Sequence, residues 1–333
     1  MARVLVAVLV AAGFTLIALP GAGADDAEDV LERARNATVR EDFSGLVQIE
    51  WLSKGRWYTA QVPVSGTGGT VQVGEGTRRA ESRGDDRWIA GVSGWQAGWD
   101  EPVEGDVPSP SEHWKLTVAK GDPVAGRSTL VVTATDPDTR RARLRVYTDR
   151  DTGIMLRREV LDSRAEVVRA VGFVDVKKLG GSRSTPPPTP KAKDRTPASV
   201  NEVPDGFSAP SRIDDRYVLV GRYLRGDDTV QLYYSDGLFG ISVFEQVGEL
   251  DWDGLPRGGD AVALASTDGR AYEVAGGTVV VWERDGMTRT VVSDATVDDL
   301  RTFAVAFDAR TKDRGGSVFD EVIDFVLGPF GFD

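Results

Sequence analysis

Apolar and polar residues alternate at period two through most of this chain, and that pattern restricts its fold more than anything else in the sequence. Gly45, Val47, Ile49 and Trp51 fall on one face of an extended strand, with Gln48 and Glu50 on the other. Alternating runs recur at residues 58–64, near Val71 and Trp88, and at 114–118, 128–135, 142–148, 154–161 and 166–176. A second series follows at 217–224, 230–234, 239–244, 261–265, 271–274, 278–283 and 287–292. Turn chemistry separates many of these runs: Gly68-Gly69, Gly121-Asp122-Pro123, Asp136-Pro137-Asp138, Asp149 to Gly153, Ser235-Asp236-Gly237 and Arg284-Asp285-Gly286. The spacing therefore predicts antiparallel sheets.

Helical spacing is confined to a few places. Over residues 25–41, Val30, Leu31, Ala34 and Ala37 form an apolar stripe, and Asp25, Asp26, Glu28 and Asp29 sit where a helix N-terminus favours acids. Thr296 is placed to cap a second helix carrying Leu300, Phe303, Ala304 and Phe307 on one face. Residues 318–327 suggest a short amphipathic segment cut off by Gly328-Pro329. A curved sheet needs one face covered, so the first helix is expected in the hollow of the first series of strands.

The organisation follows from the breaks. Residues 180–199 are rich in proline and lack large apolar side chains, the composition of an extended spacer. The expected division is a leader at 1–24, an N-terminal domain at 25–181, a linker at 182–199, a smaller C-terminal domain at 200–308 and a tail at 309–333. The class is α+β, mainly antiparallel β, with one packing helix in each domain. The leader reading rests on Arg3, the apolar run from Val4 to Leu19 and the Ala22-Gly23-Ala24 cleavage signature. An uncleaved membrane anchor is its rival, because a span needs about 20 apolar residues. Either way the chain is expected outside the cytoplasm, in a periplasmic or extracytoplasmic space.

Several function classes recede. The formal net charge of −12 repels phosphate backbones, so no nucleic-acid partner is expected. With one histidine and no cysteine, the chain offers no thiol nucleophile, no His-rich zinc site and no disulfide. His113 lies at a strand start with no nucleophile elbow anywhere in the chain, and reads as a partly exposed edge-strand residue. Gly226-Asp227-Asp228 and Gly258-Gly259-Asp260 carry acids where a phosphate loop would be neutral or basic. No enzymatic activity, catalytic residue, metal or cofactor is expected.

Four blocks, in order, resemble the RseB/MucB family of exported regulators: the opening helix leading into Phe43-Ser44-Gly45, the segment from Tyr147 to Val176, Val203 to Phe207, and Leu232 to Phe244 (LYYSDGLFGISVF). Within the second block, Asp149-x-x-Thr152-Gly153 followed by Leu156-x-Arg158 is also typical of LolA-like lipoprotein carriers. The resemblance implies a half-open, LolA-like β-barrel in the first domain. It implies a partner, the extracytoplasmic part of a membrane anti-sigma factor, shielded from proteolysis and released when a lipid-like ligand binds. The alternative it leaves is a carrier of lipid or lipoprotein. Self-association is left open.

Candidate residues follow. Val47, Ile49 and Trp51 on the sheet, with Trp88, Trp95 and Trp99 in a glycine-rich segment, are the expected cleft for an acyl chain or apolar peptide; capping of the core is the plainer reading of the tryptophans. Arg141, Arg143 and Arg145 alternate on one strand face and form either a solvated outer face or a basic stripe for an anionic partner. Tyr234, Asp236 and Phe239, in the family signature, are the remaining candidate partner contacts.

Overall fold

The computed structural model describes residues 24–67, 70–73, 107–181, 198–199, 202–225, 229–265 and 267–311. Residues 1–23 of the expected leader, the Gly68-Gly69 turn, Trp88, Trp95 and Trp99, most of the proline-rich segment and the tail beyond residue 311 lie outside these.

The chain opens with α1 (Ala24–Arg40). Its buried face is Ala27, Val30, Ala34 and Ala37, three of them alanines, which lets the helix lie close on the sheet. Eight strands follow: β1 (Phe43–Ser53), β2 (Arg56–Thr67), β3 (Thr70–Val73), β4 (Lys115–Val124), β5 (Arg127–Thr135), β6 (Ala142–Asp149), β7 (Met155–Leu161) and β8 (Val167–Leu179). They form one antiparallel sheet in the order β3-β2-β1-β8-β7-β6-β5-β4. Among the described residues β3 and β4 are not hydrogen-bonded to each other, so the sheet is not closed into a barrel. α1 packs against β2, β4 and β5, bridging towards the two ends of the sheet.

The two faces of this sheet differ as the alternation demands. One carries Val47, Ile49, Val146, Val160, Val171 and Phe173 into the core. The other carries a polar ladder in which Arg157 binds Glu50 at 3.6 Å and Glu159 at 2.8 Å, and Arg145 binds Glu159 at 3.4 Å. Burial, and then the Glu159 carboxylate, push the Tyr147 hydroxyl up to about 12.

The second sheet comprises β9 (Ala198–Ser199), β10 (Arg212–Ile213), β11 (Tyr217–Leu224), β12 (Thr229–Ser235), β13 (Gly240–Val247), β14 (Asp260–Ala263), β15 (Asp268–Val274), β16 (Gly277–Arg284) and β17 (Met287–Ser293). The order is β10-β11-β12-β13-β17-β16-β15-β14, with β9 also pairing β11. α2 (Val297–Arg310) lies against β10, β16 and β17. Thr296 caps it reciprocally: its hydroxyl accepts from the Asp299 N–H at 3.3 Å, and its own N–H donates to the Asp299 carboxylate at 3.1 Å. Phe303 meets Tyr217 and Tyr234 edge-on, with centroids at 5.4 and 5.5 Å.

Among the described residues, local turn chemistry is overridden at one expected turn. Gly121-Asp122-Pro123 is not a turn. β4 runs through it with a bulge between Gly121 and Val124, and the reversal comes at Ala125 and Gly126, both at positive φ. Among the described residues β4 is the last strand of its sheet, a position that tolerates a proline such as Pro123.

Candidate functional site

The family-like hairpin between β12 and β13 is built by its own polar atoms. The Asp236 carboxylate accepts from the Leu238 and Phe239 N–H groups at 3.0 and 2.8 Å, and the Ser235 hydroxyl accepts from Gly237 N–H at 3.0 Å. Gly237 sits at φ +90°, and a Cβ there would lie 2.6 Å from the Pro108 carbonyl oxygen. The hairpin thus packs tip-first on the segment leading into β4.

This contact is the centre of a junction between the two sheets. Phe239 is buried with its ring 5.7 Å from that of Trp114, and the Arg158 guanidinium lies 5.4 Å over it. Arg216 stacks 4.0 Å over the Trp114 ring while its Nε donates to Asp236 at 3.0 Å; it also pairs with Asp136 at 3.6 Å. Burial pushes the Asp236 carboxyl up, against the pull of Arg216 and the two backbone N–H groups.

Arginines from the first sheet supply the rest. Arg158 forms an ion pair with Asp294 and donates to the Leu238 carbonyl at 3.3 Å. Arg169 donates to the Asp294 carbonyl at 2.8 Å and to the Thr278 hydroxyl at 3.2 Å, while its Nε has no partner. Burial lowers its pKa to about 10. Arg143 reaches Asp299 at 2.7 Å, and Lys54 pairs with Asp260 at 3.1 Å. In these four contacts the first half of the chain supplies the cation and the second half the acceptor, whereas the Arg216–Asp136 pair runs the other way.

The candidate residues read from the sequence are distributed as follows. Val47 and Ile49 are buried in the core of the first sheet, and Trp51 is half-buried, stacked on Tyr58 with centroids 5.5 Å apart. Trp57 and Tyr58 are exposed large aromatics that the sequence reading did not single out. Tyr234, Asp236 and Phe239 lie on or beside the same hairpin but are buried, so in this arrangement they are no open contact surface. Tyr234 donates its hydroxyl to the Pro210 carbonyl at 2.8 Å.

The arginine row is likewise not a free stripe. Arg141 is exposed and donates to the Arg164 carbonyl at 3.3 Å, Arg143 is held by Asp299 and Arg145 by Glu159. His113 is half-buried and ends the short 3-10 turn Pro110–Glu112 just before β4. Among the described residues no group of three or more His, Cys, Asp or Glu side chains is placed to hold a metal ion.

Trp114, Arg158, Arg169, Asp294 and Asp299 were missed as site residues. A signal existed for two of them. Arg158 and Arg169 occupy the apolar face of their strands, in step with Val160 and Val171, and a charge on that face needs a partner from elsewhere.

The Asp149-x-x-Thr152-Gly153 motif is explained by a turn rather than by a ligand. The Asp149 carboxylate accepts from the Thr152 N–H and hydroxyl at 2.9 and 3.0 Å and from Arg127 Nε at 2.8 Å, and Gly153 takes φ +81°.

No curated protein matches the chain. Solved structures similar to it include MucB in complex with MucA(peri), at 18% identity, covering 84% of this chain and 98% of that one, TM-score 0.44; the MucA/MucB complex of Pseudomonas aeruginosa, at 19% identity, 88% and 100% coverage, TM-score 0.46; and MucB alone, at 18% identity, 86% and 98% coverage, TM-score 0.46. Residues 83–197 match the family model described as the MucB/RseB N-terminal domain. That segment is similar to the N-terminal domain of the MucB/RseB family, and the match covers less than half of the chain.

Proposed function

We propose that this chain is an exported regulator that binds the extracytoplasmic part of a membrane anti-sigma factor, protects it from proteolysis, and lets go when a lipid-like ligand occupies the first sheet. It acts by binding rather than by catalysis. The observation that carries this reading is the MucB/RseB domain match over residues 83–197. In this reading residues 25–181 form the ligand-responsive domain, residues 200–308 the client-facing one, and Trp51 with Trp88, Trp95 and Trp99 contacts the ligand. Ligand can drive release only by favouring the released state through differential affinity. The test is a crosslinked pull-down from the native host with the chain from residue 25 onward as bait. Recovery of a single-pass anti-sigma protein supports the proposal, and its consistent absence opposes it.

A carrier of lipid or lipoprotein is the second reading, favoured by the unclosed first sheet with α1 packed across it. Native mass spectrometry of protein purified from its own host distinguishes the two. Stoichiometric lipid without an anti-sigma partner favours the carrier.

A further inference from the structure

The arginines at the junction are unusual in where their partners come from. Arg158 and Arg169 are both buried on the apolar face of the first sheet, and all the hydrogen-bond and ion-pair partners found for them (the Asp294 carboxylate and carbonyl, the Leu238 carbonyl, the Thr278 hydroxyl) belong to the second half of the chain. Arg143 bonds one carbonyl of its own sheet, Leu161 at 3.1 Å, and directs its charge to Asp299. Trp114 is covered by Phe239 and Arg216, again from the second half. Buried guanidinium groups stripped of water require acceptors, so the end of the first sheet is a receptor for carboxylate, carbonyl oxygen and an aromatic ring. Even with the second half docked, Arg169 Nε is buried without a partner.

We propose that this end of the first sheet is a binding site for an acidic peptide segment carrying an aromatic residue, and that in this structure the chain fills the site with its own Asp294, Asp299 and Phe239. The contact is autoinhibitory: a client segment of the same chemistry takes the arginines and separates the two sheets. Two features make such an exchange feasible. The junction is charge-rich, as in interfaces that open and reclose, and the two carboxylates lie close together on the chain, so one short segment replaces both. The inference rests on the reading that the client is a protein, and it names the client's chemistry and the place it docks.

The probe is a fluorescein-labelled peptide copying residues 291–300 of this chain with one phenylalanine added at its end, so that it carries Asp294, Asp299 and an aromatic ring; its control has lysine in place of those two acids. Anisotropy is measured with the full chain and with the Asp294→Asn/Asp299→Asn variant, which keeps side-chain size while removing the internal competitor. The acidic peptide is expected to bind the variant at least about tenfold more tightly than the parent, the lysine control not to bind, and added Arg158→Gln/Arg169→Gln to abolish binding. Equal affinity for parent and variant, or for both peptides, overturns the proposal.

A second measurement stands even where the variants unfold. The chain has no cysteine, so nitroxide labels at Lys120→Cys and Thr302→Cys report one distance across the junction. Millimolar acidic peptide should lengthen or broaden that distance in the otherwise unaltered chain. An unchanged distribution contradicts the exchange. Neither experiment uses an anti-sigma factor, so failure here with a positive pull-down removes only this site.

Discussion

Arg143 and Asp299, 156 positions apart, meet through a single guanidinium nitrogen that lies 2.9 and 2.7 Å from the two carboxylate oxygens. The same carboxylate accepts from the Thr296 N–H and hydroxyl at the start of α2. One side chain thus both starts a helix and ties two sheets together. A double-mutant cycle of Arg143→Ala and Asp299→Ala should give a coupling of about 1–2 kcal/mol in urea unfolding, between exposed and fully buried pairs. Asp299→Ala alone should cost about 1 kcal/mol more than Arg143→Ala, because it also removes the cap.

Gly237→Ala tests the seating of the hairpin. The positive φ alone costs a side chain about 1–2 kcal/mol. The added methyl also meets backbone at Pro108 and Pro110, which cannot yield as a flexible side chain could. A lowered thermal midpoint is expected, together with a wider distance between labels on the two sheets. A variant as stable as the parent would mean that the hairpin does not pack tip-first on Pro108.

Phe239→Ala removes the ring held between Trp114 and Arg158. Truncating a buried Phe typically costs about 3–5 kcal/mol. If the junction is a releasable contact, that loss appears first as separation of the sheets, with far-UV circular dichroism retained. Simultaneous loss of the dichroism and the inter-sheet distance would instead make the two halves one inseparable unit.

Acid stability should depend on Asp149. Burial alone would raise its pKa, but hydrogen bonds from Arg127 and from Thr152 hold it below its ordinary 3.8. A carboxyl lowered in the folded state contributes stability that is fully present above the unfolded pKa and is lost as pH falls through the folded value. Unfolding free energy should therefore decline as pH drops below about 4. Arg127→Met should flatten that decline, as read from urea midpoints at a series of pH values. An identical decline in the variant would remove Arg127 from the account.

The strands were legible because their period is local. Val47, Ile49 and Trp51 alternate against Gln48 and Glu50 in the sequence as they do across the sheet, and Asp285-Gly286 and Thr296 mark a turn and a helix start by chemistry confined to a few residues. The junction was not legible, because it joins residues far apart in the chain, such as Arg158 and Leu238. Nothing in the wording of the hairpin says that Phe239 will be spent inside the molecule; an exposed loop aromatic has the same local signature. Arg158, a charge in an apolar rank, was the residue that pointed beyond its own sheet.

The proposed function requires that this chain hold a membrane anti-sigma factor by its extracytoplasmic part. Isothermal titration of the chain from residue 25 onward into the purified extracytoplasmic segment of each single-pass anti-sigma protein of the host tests it most directly. Saturable, stoichiometric binding to at least one of them, reversed by host envelope lipid, is expected. Absence of heat and of co-elution for every one of them would contradict it.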